Sequence, residues 1–217
     1  MNNRLILAIE TSSTICGVAI IKGYDCLALI ERETPRKHAE ILPSFIENTI
    51  AESGYEINKI DAIAVSIGPG SFTGLRIGLG FAKGFAFAHN LPIIAVPTIE
   101  AMVFSQIKHK PEICLLLSHG NNIFSQQFFW KNQLPNSVSR PNVNKINNLM
   151  DSLDRKSTIL QWNCNELLPI DLKFLTVAPS AKSVGTLGNI KYDQLVIKKP
   201  YELEPDYIAP FKILSKK

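Results

Sequence analysis

Apolar positions along the first hundred residues fall into short runs separated by polar breaks. Residues 5–9, 17–21 and 27–31 are rich in Ile, Leu, Val and Ala, with breaks at Thr11-Ser12-Ser13-Thr14 and Lys22-Gly23. Runs of this length between turn signals predict a strand meander. From residue 40 the period changes. Ile41, Leu42, Phe45, Ile46, Thr49 and Ile50 share one helical stripe, which predicts a helix over 40–52. Pro43 fits that helix if it lies in the first turn, and Gly54 stands where a C-terminal stop belongs. Residues 60–67 are almost continuously apolar, as in a strand covered on both faces. The turn Gly68-Pro69-Gly70-Ser71 follows, and Ser71 or Thr73 can cap a helix running to about residue 89. A strand at 93–96 and a helix from 98 to 106 complete the set. Three antiparallel strands followed by right-handed crossovers predict a mixed five-strand sheet with helices on its faces.

The second half repeats this order more faintly. Strands are expected at 113–117, 123–130, 134–138 and 157–161, and helices at 142–154 and 180–191. The helix at 142–154 would turn Val143, Ile146, Leu149 and Met150 inward. Polar residues and Pro111 place a lobe boundary near 105–110, giving lobes of 1–105 and 106–217.

Composition narrows the class. The chain has 217 residues, 46% hydrophobic and 19% charged, with a net charge of +4 and a pI near 8.8. That is an ordinary globular balance. Its cations are dispersed, so a nucleic-acid footprint is not indicated, although Arg36, Lys37, Arg76 and Lys83 are the candidates if RNA binds directly. Cys16, Cys26, Cys114 and Cys164 show neither CxxC nor zinc spacing and read as reduced thiols. No run suits a signal peptide or a membrane span, so a soluble, cytoplasmic protein is expected.

Six of the twelve glycines lie between residues 63 and 90. Neither GxxxxGK[ST] nor GxGxxG fits them. Gly74, Gly78, Ala82 and Ala86 are spaced by four, as are Gly80, Gly84 and Ala88. Each interior glycine costs a helix about 1 kcal/mol relative to alanine, so close backbone approach must offset the loss. That approach is either internal packing or a helix interface with another protein.

The stretches ILAIETSSTICGVAI (6–20), HAEILPSFIENTI (38–50), GPGSFTGLRIGLGFAKGFA (68–86) and VPTIEAM (96–102) resemble the TsaB (YeaZ) family. The resemblance covers about the first 105 residues. It implies an α/β protein with the two-lobed ASKHA (actin- and Hsp70-like) fold, each lobe a mixed five-strand sheet flanked by helices, the second lobe reduced. It also implies a role in making threonylcarbamoyladenosine in tRNA, as a non-catalytic scaffold that activates a TsaD-like transferase. A TsaE-like ATPase would join the complex, tRNA would be met through it, and the isolated chain would form a homodimer. ATP and magnesium are expected in the complex, with neither bound tightly by this chain alone.

TsaD-like proteins carry an HxxxH metal pair; the matching positions here are Thr98 and Met102, poor ligands for a divalent ion. No metal site and no catalytic residue are therefore expected. Glu10-Thr11-Ser12-Ser13 corresponds to the first phosphate loop of ASKHA proteins and, with Gly68 and Gly70, is the candidate nucleotide site. The matching second-lobe loop reads Ser118-His119-Gly120, where TsaB-like chains usually have Asp-Ala-Arg. The expected partner surface is made of Ile46 and Ile50 with Gly74, Gly78, Ala82 and Phe85. The competing reading is a stand-alone ASKHA kinase or metallopeptidase-like enzyme using Asp61, Glu100 or Asp206.

Overall fold

The computed structural model describes residues 3–119, 122–150, 153, 156–169, 173–197 and 199–208. Parts of two sequence expectations lie outside these residues: the end of the 142–154 helix, and everything beyond 208. Gly120 and Lys198 also lie outside them.

The first sheet forms as its apolar runs dictate. β1 (Leu5–Glu10), β2 (Ile15–Lys22) and β3 (Asp25–Glu33) are an antiparallel meander, while β4 (Ala62–Gly68) and β5 (Ile93–Pro97) join in parallel. All six residues of β1 are buried, because helices cover both faces. On one face lie α1 (His38–Ser53) and α2 (Phe72–His89), packed on Leu7, Ile9, Val18, Ile20, Ile63 and Val65. On the other face Ile6, Ala8, Ala19, Ile21, Ala62 and Ala64 meet Ala181, Val184 and Leu187. These last three belong to α5 (Ala181–Ile190), which lies so near the sheet that a Cβ on Gly185 would sit 2.5 Å from Ile21 Cγ1.

The second sheet runs β11 (Phe174–Thr176), β10 (Ile159–Trp162), β6 (Ile113–His119), β7 (Asn122–Lys131), β8 (Leu134–Ser137), and β9 (Asn142–Lys145) also pairs with β7. α3 (Thr98–Phe104) joins the halves: Ala101 and Phe104 pack on the first sheet's core, and Ile99, Met102 and Val103 on the second's.

Four features depart from expectation. The first sheet has six strands, because β12 (Val196–Ile197) pairs antiparallel with β5. Residues 181–197 therefore return to the first sheet, and a division at 105/106 does not separate the two layers. Residues 142–145 are strand and not helix, leaving α4 as Ile146–Met150. β8 pairs with β7 only at 128–131, and β9 fills the free backbone at 122–125 that a buried edge must satisfy. Helix α1 starts at His38, which moves Pro43 into its second turn.

An ion pair fastens the two halves. Lys191 Nζ bonds Glu100 on α3 and donates to the Pro135 carbonyl of β8 at 3.4 Å. Both charged side chains are only 13% exposed. Removing one partner strands the other charge in a poorly hydrated place. Lys191→Met is expected to destabilise the fold by about 3 kcal/mol in urea unfolding, and adding Glu100→Leu to recover much of that loss. Equal losses in the single and double variants would show that the pair contributes nothing.

Candidate functional site

The hydroxyl-rich loop after β1 meets the start of α2. Glu10 lies in register with Gly17 of β2, and Gly17 with Glu31 of β3, so both carboxylates stand on the α5 face of the sheet. Glu10 is fully buried. Its Oε1 accepts the Ser12 amide at 2.5 Å, but Oε2 has no partner, nor have the buried hydroxyls of Ser12 and Ser66. Burial pushes the Glu10 carboxyl from about 4.5 up to about 7. The neighbouring Ser12 and Ser66 groups pull it partly back, and Glu31 adds to the rise.

Glu31 caps α5. Its Oε1 accepts the Ala181 amide, and Ser180 and the Lys182 amide also bond the carboxylate. Burial raises its pKa against these bonds. A Cβ at Gly17 would lie 2.9 Å from Glu31 Oε1, so the absent side chain gives the carboxylate its place. Burial and Glu10's charge push the Cys16 thiol up to about 12. The α5 N-terminus, a natural anion site, is thus already satisfied by a carboxylate of the same chain.

Glycines of α2 and of the turn before it explain how the loop closes. A Cβ at Gly70 would sit 2.3 Å from the Ser12 carbonyl oxygen, one at Gly74 2.0 Å from the Thr11 carbonyl oxygen, and one at Gly78 2.2 Å from Thr11 Oγ1. Thr11 Oγ1 donates to the Gly74 carbonyl at 2.8 Å, and the Ser71 amide to the Ser12 carbonyl at 2.6 Å. Ser71 Oγ accepts the Gly74 amide and caps the helix. Thr11 and Ser12 are buried; Ser13 is half-buried, its Oγ accepting the Ile15 amide. A Cβ at Gly68 would lie 2.9 Å from the Asp206 carbonyl oxygen. Of the candidate nucleotide residues, Gly70 meets the Glu10–Ser13 loop, while Gly68 lies against Asp206 and Leu75. The loop's hydroxyls face inward, and Glu10 and Glu31 set two carboxyls beside it.

The expected partner surface needs correction. Gly74, Gly78 and Ala82 face the sheet within the chain and are buried, so they offer nothing to another protein. Ile46 is buried in the same core; Ile50 is half-buried, as is Phe85, whose ring stands 4.6 Å from His89. The second small-residue stripe faces outward. A Cβ on Gly80 or Gly84 would meet nothing within 4 Å, and Phe87 beside them is 92% exposed. Spacing by four revealed both stripes, but the sheet decides which is buried, and Phe87 was the signal that sequence reasoning missed.

The other candidates are scattered. Thr98 Oγ1 accepts the Gly68 amide, and Met102 is core. Asp61 accepts the Leu5 amide, Glu100 pairs with Lys191, and Asp206 uses its backbone amide on the Ile67 carbonyl. His38 Nε2 donates to the Ile15 carbonyl at 3.0 Å, tying α1 to β2. Among the described residues no three His, Cys, Asp or Glu side chains gather as a metal would need, and no helix is long and apolar enough to cross a membrane.

Two sheets of this order, joined by α3 and backed by crossing helices, define an ASKHA-type fold. The family described as TsaD, tRNA N6-adenosine threonylcarbamoyltransferase, matches residues 30–154. The chain is 28% identical over 230 residues to the tRNA threonylcarbamoyladenosine biosynthesis protein TsaB of Haemophilus influenzae, spanning 96% of this chain and 94% of that one. It is 32% identical over 142 residues to a tRNA N6-adenosine threonylcarbamoyltransferase of Clostridium perfringens, a match that spans 56% of this chain and 42% of the transferase. The structure of YeaZ from Pseudomonas aeruginosa superposes with a TM-score of 0.81 at 21% identity, covering 94% of this chain and 99% of that one. The chain belongs to this threonylcarbamoyltransferase-type group, and within it to the TsaB (YeaZ) family.

Proposed function

We propose that this chain is a cytoplasmic partner subunit in the synthesis of threonylcarbamoyladenosine in tRNA, one that docks on a TsaD-like transferase and performs no chemistry itself. The observation that carries this reading is the outward stripe of α2. Gly80 and Gly84 stand in open space beside the exposed Phe87, a flat seat with an aromatic anchor at its end. Helix-breaking residues kept on an exposed face, with no internal contact to offset their cost, fit a surface where another helix comes close. The closed Glu10–Ser13 loop and the self-capped α5 support the non-catalytic part of the reading. In this view ATP, magnesium, a TsaE-like ATPase and tRNA are met in the complex, and the same α2 face supports a homodimer when the transferase is absent.

The test is reconstitution. The chain is mixed with its cognate TsaD-like protein, and then with TsaE-like ATPase, ATP, threonylcarbamoyl-adenylate precursors and tRNA. A complex on size exclusion and modified nucleoside only when the chain is present are expected. Gly84→Leu should reduce the complex severalfold or abolish it while leaving the thermal midpoint of the isolated chain within a few degrees. Equal nucleoside yield with and without the chain would overturn the reading. Gly78→Leu is unsuitable as a probe, since Gly78 seats Thr11 and the variant would report on folding.

A further inference from the structure

The N-terminal half of the outward α2 face is not bare. Residues 199–208 cross it. The Asp206 amide donates to the Ile67 carbonyl at 2.7 Å, Leu203 touches the α1–α2 core, and Phe72 and Tyr207 stack with centroids 4.8 Å apart. Two α2 cations hold the segment through neutral acceptors: Arg76 Nε donates to Tyr207 Oη at 2.8 Å, and Lys83 Nζ to the Tyr201 carbonyl at 3.1 Å. The Arg76 guanidinium also lies 3.8 Å from the Phe72 ring centroid and 5.6 Å from that of Tyr207. Neither cation has an ion-pair partner among the described residues.

A groove of about 370 Å³ opens between Arg76, Gly80 and Lys83 on one side and Leu203, Glu204, Pro205 and Tyr207 on the other, and the Glu204 carboxylate that lines it forms no ion pair with either cation among the described residues. Tyr201 is 72% exposed and Tyr207 40%. The segment is held by one backbone bond, two exposed side-chain bonds, the Phe72–Tyr207 stack and two half-buried aliphatic side chains, Leu203 on the first core and Ile208 on the second, and so much exposed contact puts its middle toward the low end of local stability.

We propose that residues 199–208 are a displaceable strap over the basic stripe of α2, and that a partner helix with an acidic face lifts it on docking. This rests on the partner reading above. The chemistry favours exchange. A carboxylate bonds guanidinium or ammonium more strongly than a phenol or a peptide carbonyl does, so an acidic partner replaces both neutral acceptors with better ones. Arg76 and Lys83 are seven residues apart, two turns or about 10 Å along the axis, so the matching carboxylates lie two turns apart on a helix aligned with α2. The strap rests on the turn that leads from β4 into α2, because Asp206 abuts Gly68. Its removal therefore frees the turn whose next residues, Gly70 and Ser71, hold the Glu10–Ser13 loop shut.

Hydrogen exchange on the full chain tests this, alone and with the TsaD-like protein. In the isolated chain, amides of 203–208 should exchange far faster than those of 74–86. Equal protection would make the segment a fixed part of the fold and overturn the proposal, whatever the partner does. Adding the partner should slow exchange at 80–88 and speed it at 203–208. Protection of both would also overturn the proposal, by making the strap part of the contact. Tyr207→Phe, which removes one acceptor and leaves α2 intact, should raise partner affinity severalfold, and a loss of affinity would count against displacement. Binding should weaken with salt, as charge pairing requires; salt-insensitive binding would overturn the acidic-partner element. Absence of any complex would instead sink the partner reading, an outcome distinct from a complex in which the strap stays down.

Discussion

Gly74→Ala is expected to destabilise the protein by about 3 kcal/mol or more, enough to leave much of it unfolded or insoluble, whereas Gly84→Ala should stabilise it by about 1 kcal/mol. Both positions are glycines in one helix, ten residues apart. The new methyl at residue 74 would lie 2.0 Å from a backbone carbonyl oxygen, an atom that no rotamer change can move aside. The new methyl at residue 84 meets nothing within 4 Å, so only the gain in helix propensity remains. Urea unfolding of the two variants beside the wild type checks both signs. A Gly74→Ala protein of normal stability would show that the β1 loop and α2 are not in the close contact described here.

Glu10→Gln carries the second large effect, and it depends on pH. The carboxyl titrates near 7 in the folded chain and near 4.5 when free. Between these values the folded form holds more protons than the unfolded form, so stability falls as pH rises through the interval and levels off above it. The shift corresponds to about 3 kcal/mol from this one group. Glutamine resembles the neutral acid and cannot ionise. The variant should match the wild type near pH 4.5 and exceed it by about 3 kcal/mol at pH 8. Burial also raises Glu31, which adds a wild-type slope of the same sign that the variant retains. Parallel stability profiles for the two proteins between pH 4.5 and 8 would refute the assignment of a buried acid whose ionisation opposes folding at residue 10.

How far this was legible in the sequence depends on which interactions are local. β1 to α3 follow from apolar period, and their order emerges within a few residues, because strands covered on both faces and helices with one apolar stripe announce themselves. The ASKHA-type fold and the family were also legible, through motifs that lie in that half. β9 was not. Val143, Ile146, Leu149 and Met150 keep a helical period, and only the free edge of β7 tells residues 142–145 to extend. β12 is two residues long and exists because β5 leaves an edge open. At the site, the motifs set Glu10, Thr11, Ser12 and Ser13 beside Gly70, where the structure also has them in contact, but the burial of Glu10 was hidden. It depends on α5, which lies more than a hundred residues away in the chain. The facing of the two glycine stripes depends on which side of α2 meets β1 and the loop after it, which equal spacing in both stripes does not reveal. The Gly17–Glu31 fit needs the strand register, which sequence alone does not supply.

The placement of α5 has a consequence for how this molecule is made. Ile6, Ala8, Ala19, Ile21, Ala62 and Ala64 are covered chiefly by residues 181–187, with Ala101 and Phe104 of α3 at one side. A ribosome releasing the first hundred residues would present an oily sheet face with no lid, and that face would stay wet until nearly two hundred residues had emerged. The amino-terminal half should therefore be unable to mature as a separate fragment, and chaperone capture during translation should end only when the last long helix arrives.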